Sequence, residues 1–170
     1  MAKKILVAYA SRAGSTAEVA EEVGRVLRES GAEVDVRPCK AVRDTRGYDA
    51  VVIGTAVRMG KLLPEAVKFT NKFCDDLEKV PTAYFTLGLT MKEDTPENRA
   101  TAYGYLEPLE EIHEAFDKEV FGGTMDHSKL SPMLRFAAQH DKEGILAEGD
   151  YRNWEAIRAW AASLAEKLEG

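Results

Sequence analysis

Two hydrophobic rhythms alternate along this chain. Continuous apolar runs occur at Ile5-Leu6-Val7-Ala8-Tyr9, at Ala50-Val51-Val52-Ile53 and at Ala83-Tyr84-Phe85-Thr86-Leu87. Runs of this kind suit central strands covered on both faces. The stretch Glu33-Val34-Asp35-Val36-Arg37 alternates strictly instead. It predicts a strand with one wet face, as at the edge of a sheet. Between the runs the period lengthens. Val19, Ala20, Val23, Val26 and Leu27 form one helical stripe, stopped at Ser30-Gly31. Ala66, Phe69, Phe73 and Leu77 form a second behind Pro64.

Thr95-Pro96-Glu97 is a helix start, with a capping side chain, a proline at the first helical position and an acid near the dipole. Tyr105, Leu109, Ile112 and Phe116 follow at helical spacing, and Pro108 predicts a kink or break within 103–108. A last short strand is expected at 119–123. From 125 to 149 the periodicity fails, except for a short helix opened by Ser131-Pro132 and carrying Met133, Leu134 and Phe136. Asp150 is the expected cap of a final helix bearing Trp154, Ile157, Ala161, Leu164 and Leu168.

Strands alternating with helices imply an α/β fold, a three-layer sandwich with a parallel sheet between helices. The edge character of the second strand fits five parallel strands in the order 2-1-3-4-5, with 126–149 inserted before the last helix. One domain over 1–170 is the expectation. In this order the chain reverses between strands 1 and 3, and ligands bind beyond the carboxyl ends of the strands at such a point. The loops there are 10–16, 55–61 and 88–94.

The first of these loops carries chemistry. Ser11-Arg12-Ala13-Gly14-Ser15-Thr16 joins a buried strand directly to a helix N-terminus. First-turn N–H groups lack intrahelical partners, hydroxyls add donors, and a glycine admits close approach, which together describe a phosphate cradle. The other reading is an ordinary turn capped by Ser15 or Thr16. A dinucleotide fingerprint would need three glycines, and this loop has one. Gly54 to Leu62 imitates a Walker loop, but its glycines are one residue too far apart and Leu62 replaces the metal-binding hydroxyl.

Composition narrows the partners. The net charge is −6 over 170 residues, which argues against a general nucleic-acid binder. No membrane-length apolar run or leader pattern is seen, so a cytoplasmic protein with at most peripheral membrane contact is expected. Cys39 and Cys74 belong to no metal-spaced cluster and read as reduced, buried thiols, with a disulfide as the alternative. His113, His127 and His140 are scattered and receive no role; no metal site is expected.

The tract Tyr9 to Thr16, together with Asp49-Ala50-Val51-Val52-Ile53-Gly54-Thr55, resembles the flavodoxin family. Within it, Gly54-Thr55-Ala56-Val57-Arg58-Met59-Gly60-Lys61, the insertion 126–149 and Asp150-Tyr151-Arg152-Asn153-Trp154 are similar to the menaquinone-dependent protoporphyrinogen oxidase group. The resemblance implies FMN as cofactor. Ser11, Arg12, Ala13, Gly14, Ser15 and Thr16 would hold its phosphate. Thr55, Ala56, Val57, Arg58 and Met59 would border the ring on one side, and Leu87, Gly88, Leu89 and Thr90 on the other. Electron-carrying flavodoxins often stack aromatic side chains on the ring, whereas 55–61 and 88–94 contain none, leaving Val57, Met59 and Leu89 as ring contacts.

Arg58 and Lys61 add positive charge to a loop expected near the ring, which favours a flavoenzyme over a low-potential carrier; both side chains facing solvent is the alternative. The implied function is an FMN-dependent oxidoreductase, protoporphyrinogen oxidase-like, with a small apolar substrate and a quinone acceptor; the flavin carries the chemistry and no catalytic side chain is named. The alternatives are a flavodoxin-type electron shuttle docking redox partner proteins and a flavin-free interaction domain. The short helix, opened by Ser131-Pro132 and expected to end near Gln139-His140-Asp141, would cover a substrate, lean on a membrane or pack on the sheet edge, and the acids of 126–150 weigh against the membrane.

Overall fold

In a computed structural model describing residues 2–169, seven α-helices surround one main sheet. The elements in chain order are β1 (Lys4–Ala10), α1 (Ser15–Glu29), β2 (Glu33–Pro38), β3 (Ala50–Arg58), β4 (Lys61–Leu62), α2 (Pro64–Lys72), α3 (Cys74–Leu77) and β5 (Thr82–Gly88). There follow α4 (Pro96–Gly104), α5 (Glu107–Ile112), β6 (Asp117–Gly122), β7 (Thr124–Met125), α6 (Pro132–Gln139), β8 (Gly149–Asp150) and α7 (Trp154–Glu169).

The parallel strands run in the order β2-β1-β3-β5-β6, the predicted 2-1-3-4-5 arrangement. Residues of one strand alternate between faces, and the two faces build separate cores. Ile5, Val7, Val52 and Phe85 pack with α1 and α7 through Val23, Leu27, Ile157 and Leu164. Leu6, Ala8, Val51, Ile53 and Tyr84 pack with α2 through Phe69, with α5 through Leu109 and with Leu106 just before α5. Burying both faces is what makes the runs of β1, β3 and β5 continuously apolar.

Several elements depart from the sequence reading. Residues 55–61 are not a loop. β3 continues through Arg58 and turns back into β4, pairing Val57 with Leu62 and Arg58 with Lys61. Met59 (φ 53°) and Gly60 (φ 74°) form the two-residue connection, both at positive φ as a type I′ hairpin requires. The second helical stripe breaks at Phe73 into α2 and α3, and no glycine or proline marks that break. The break near Pro108 occurs as predicted, between α4 and α5, but Phe116 lies beyond the helix and is 45% exposed.

The last parallel strand starts two residues earlier than expected and ends at Gly122. Asp150 does not cap α7, because it belongs to β8 and its carboxylate grips Arg152; Asn153 Oδ1 accepts the capping bond from the Ala156 N–H at 3.0 Å. Cys39 is buried and Cys74 only half-buried, and both are free thiols. Among the described residues no helix is long and apolar enough to cross a membrane.

Candidate functional site

β1 ends at Ala10 on the central part of the sheet and delivers Ser11 to the carboxyl edge. Ser11 Oγ accepts a hydrogen bond from the Gly14 N–H at 3.0 Å, folding the loop back on itself. Gly14 then enters α1 in the left-handed conformation, φ 93°, which a side chain would disfavour. It is therefore Gly14, not Ser15 or Thr16, that occupies the N-cap position, and no side chain caps the helix. The first α1 N–H found with an acceptor is that of Glu18, on the Gly14 carbonyl at 3.1 Å. The Ser15, Thr16 and Ala17 N–H groups have no acceptor among the described residues.

The Thr16 hydroxyl is fully buried and also lacks a partner. A buried hydroxyl without a hydrogen bond is costly. Beside a row of free N–H groups at a helix N-terminus, it fits an anion such as a phosphate.

The side chain of Arg12 does not face this cradle as a free cation. It makes a bidentate pair with Glu65 at the start of α2, 2.7 and 2.8 Å. That pair raises the affinity of the guanidinium for its proton and holds the Glu65 carboxyl below its ordinary range. Two other cations reach the cradle from far along the chain. Lys129 Nζ donates to the Ala13 carbonyl at 3.0 Å, and Arg152 Nη1 to the Ser15 carbonyl at 3.3 Å.

Beside the cradle lies a cavity of about 370 Å³. Ser11, Arg12, Ala13 and Ser15 close one end. Ala56, Val57, Arg58 and Met59 supply one wall from the β3–β4 hairpin, and Leu87, Gly88, Leu89 and Thr90 supply a second beyond β5. These walls meet closely, since a Cβ on Gly88 would lie 3.2 Å from that of Val57. Twelve of the fifteen residues singled out from the sequence thus face one cavity. Gly14 shapes the loop without lining it, Thr16 sits behind it, and Thr55 is buried within the sheet, its hydroxyl donating to the Ala56 carbonyl at 2.9 Å and accepting from the Leu63 N–H at 3.4 Å. Lys61 borders a different depression, with Tyr105 and Glu107, so Arg58 is the cation of the hairpin that reaches the cavity.

A third wall comes from residues that the sequence did not single out, in the insertion whose helix had substrate cover as one of its readings. Gly60 adds to the hairpin, and Gly123, Thr124, Met125, Asp126, Lys129, Leu130, Leu134, Ile145 and Leu146 line the cavity from the 123–146 stretch. The short helix α6 buries none of its residues; it turns Leu134 toward the cavity and leaves Met133 and Phe136 80% and 64% exposed. The available signal was the apolar content of a stretch without periodicity. β7 and β8 pair antiparallel and tie both ends of this segment together. Its histidines serve the segment itself: His127 Nε2 bonds the Leu146 carbonyl at 2.6 Å, and the His140 ring packs on Phe136. Among the described residues no group of three or more His, Cys, Asp or Glu side chains is placed to hold a metal ion.

Comparison with known proteins agrees with this architecture. A solved structure of a flavodoxin from the domain Archaea superposes over 98% of this chain and 99% of its own, with a TM-score of 0.61 at 15% sequence identity, a likeness of fold alone. The protoporphyrinogen IX dehydrogenase [quinone] of Escherichia coli is 28% identical over 108 residues, 61% of this chain and 60% of that protein. The matched stretch therefore spans less than two thirds of the relative's length. An NAD(P)H dehydrogenase (quinone) of Methylocella silvestris is 29% identical over 91 residues, 41% of this chain and 46% of that one. The sequence profile of the flavodoxin domain matches residues 6–144, which takes in the cradle, both sheet-borne walls and most of the insertion, and the chain accordingly belongs to the flavodoxin domain family.

Proposed function

We propose that this chain is an FMN-dependent oxidoreductase that takes hydrogen from an apolar substrate, protoporphyrinogen-like, and passes the electrons to a quinone. The observation that carries the reading is the third wall. Leu130, Leu134, Ile145 and Leu146 stand with the hairpin and the β5 loop around one cavity, whereas a shuttle that docks protein partners has no need of an additional apolar wall beside its cofactor. The relatives named above differ in donor, but both of their names specify a quinone.

Ser11, Gly14, Ser15 and Thr16 would hold the phosphate through backbone N–H groups and hydroxyls, with Arg12 and Ala13 completing the loop. Ala56, Val57, Arg58 and Met59 would border the flavin ring on one side, with Thr55 supporting them from below. Leu87, Gly88, Leu89 and Thr90 would border it on the other. When bound, FMN supplies the two-electron chemistry. Arg58 places a positive charge in this wall, which favours the more negative, reduced cofactor and raises its potential. The apolar walls exclude water from the ring and select large apolar substrates.

The test is turnover of protoporphyrinogen by the FMN-loaded protein with a water-soluble quinone analogue, in the absence of oxygen. Porphyrin absorbance appearing in step with quinone reduction is the expected result. No turnover, joined to a strongly negative reduction potential, would replace the reading with an electron shuttle, which the net charge of −6 favours as a docking surface for basic partners.

A further inference from the structure

Arg152 lies two residues before α7, with its side chain 8% exposed. Its guanidinium is engaged on every side. Nη1 donates to the Ser15 carbonyl at 3.3 Å, and Nε and Nη2 grip Asp150 at 2.9 and 2.8 Å. Glu18 stands 3.5 Å from Nη1, and the guanidinium carbon lies 4.7 Å from the centre of the Trp154 ring. Arg152, Asp150, Glu18, Ala13, Ser15 and Thr124 face a common cleft beside the cradle.

The placement is unusual for a cation. Helix N-termini carry partial positive charge and repel one, and burying a guanidinium is costly unless it is compensated. Asp150 alone would satisfy the charge away from α1, yet the side chain is drawn against the first turn of the helix. An anion in the cradle turns that liability into a gain. Such an anion would otherwise face two carboxylates, Glu18 and Asp150.

We propose that Arg152 is the positioning residue that makes this cradle selective for a phosphorylated ligand. It pins the Ser15 carbonyl, which fixes the direction of the free first-turn N–H groups. It also offsets Glu18 and Asp150, so that a dianion can approach. Trp154 and Asp150 hold its plane. Lys129, on the Ala13 carbonyl, is exposed and plays a lesser part. The role rests on the reading of the cradle as a phosphate site.

Titration calorimetry of the full chain with FMN and with riboflavin separates the two ideas. Wild type should bind FMN far more tightly than riboflavin; equal affinities would overturn the cradle itself, and the role of Arg152 with it. Given a preference in wild type, Arg152→Gln should weaken FMN binding about tenfold or more while riboflavin binding changes by less than about twofold. Glu18→Gln in that background should recover part of the loss. Equal weakening of both ligands would reduce Arg152 to a structural support, and unchanged FMN affinity would remove it from the site. Arg152→Lys keeps the charge and loses the fork. Should the glutamine variant not fold, a severalfold loss confined to FMN in the lysine variant supports the role, and an equal or absent effect overturns it.

Discussion

Single side chains decide whether the cradle is a site. Ser15 occupies the first position of α1 and faces the cavity. An aspartate there would suit the helix dipole and leave the fold intact, but would repel a phosphate. Ser15→Asp should therefore abolish FMN uptake while the thermal midpoint stays near that of the parent; unchanged FMN affinity, measured by calorimetry, would move the phosphate elsewhere. Cys39 gives a second residue-scale test. Burial, reinforced by the nearby Glu65 charge, pushes its thiol up to about 12. At pH 8 the reactive thiolate is then about one part in ten thousand. Iodoacetamide should label Cys74 and spare Cys39 in the native protein, with both labelled after denaturation, as read by mass spectrometry. At this scale the cradle was legible, because strand, turn and helix start lie within sixteen consecutive residues. The cap of α7 was not. Asp150 and Asn153 are both good caps, and the choice between them falls to Arg152, whose fork takes Asp150 and leaves Asn153 to the helix.

Among the elements, the β3–β4 hairpin shows how tertiary context extends a local signal. The apolar run of β3 was evident as far as Gly54, but the turn lacks the Asn-Gly or Asp-Gly pair that announces a type I′ connection. Met59 takes the left-handed conformation instead, with its side chain 87% exposed. Left-handed backbone costs an ordinary L-residue ~1 kcal/mol, and asparagine tolerates it better. Met59→Asn should recover ~0.5–1 kcal/mol and raise the thermal midpoint by about 2–4 °C per kcal/mol. A lower midpoint in a thermal melt would mean that the methionine makes contacts worth more than the strain. The break at Phe73 was illegible for a different reason. Phe69 and Phe73 keep helical spacing and pack as a pair, ring centres 5.0 Å apart, across the end of α2, so the apolar stripe runs on while the backbone changes course.

Across the whole molecule, the parts of the site come from opposite ends of the chain. The sheet order was readable because alternation marks an edge strand and continuity marks buried ones. The insertion was readable as a candidate cover, but the residues of the third wall were not, since its geometry depends on contacts such as Lys129 with Ala13 and Arg152 with Ser15, more than one hundred residues apart, and no local periodicity encodes those. A ligand that binds the assembled cavity stabilises all of it by mass action. FMN at one hundred times its dissociation constant should add ~2.7 kcal/mol and raise the thermal midpoint by about 5–10 °C. It should also slow proteolytic cutting within 126–149, where α6 buries none of its residues. A midpoint indifferent to FMN would separate the fold from the proposed cofactor.

The walls of the cavity contain no tryptophan, tyrosine or phenylalanine. Electron-rich rings stacked on an isoalloxazine return its excited state to the ground state before it can emit. With aliphatic, thioether and peptide surfaces in their place, a flavin held here should keep a bright green fluorescence and a nanosecond excited-state lifetime. The same freedom from quenching leaves the excited cofactor long-lived enough to oxidise its surroundings. Under illumination in air it would pass its energy to dioxygen, and the thioethers of Met59 and Met125, which both line the cavity, would be the first groups to take up that oxygen as sulfoxides.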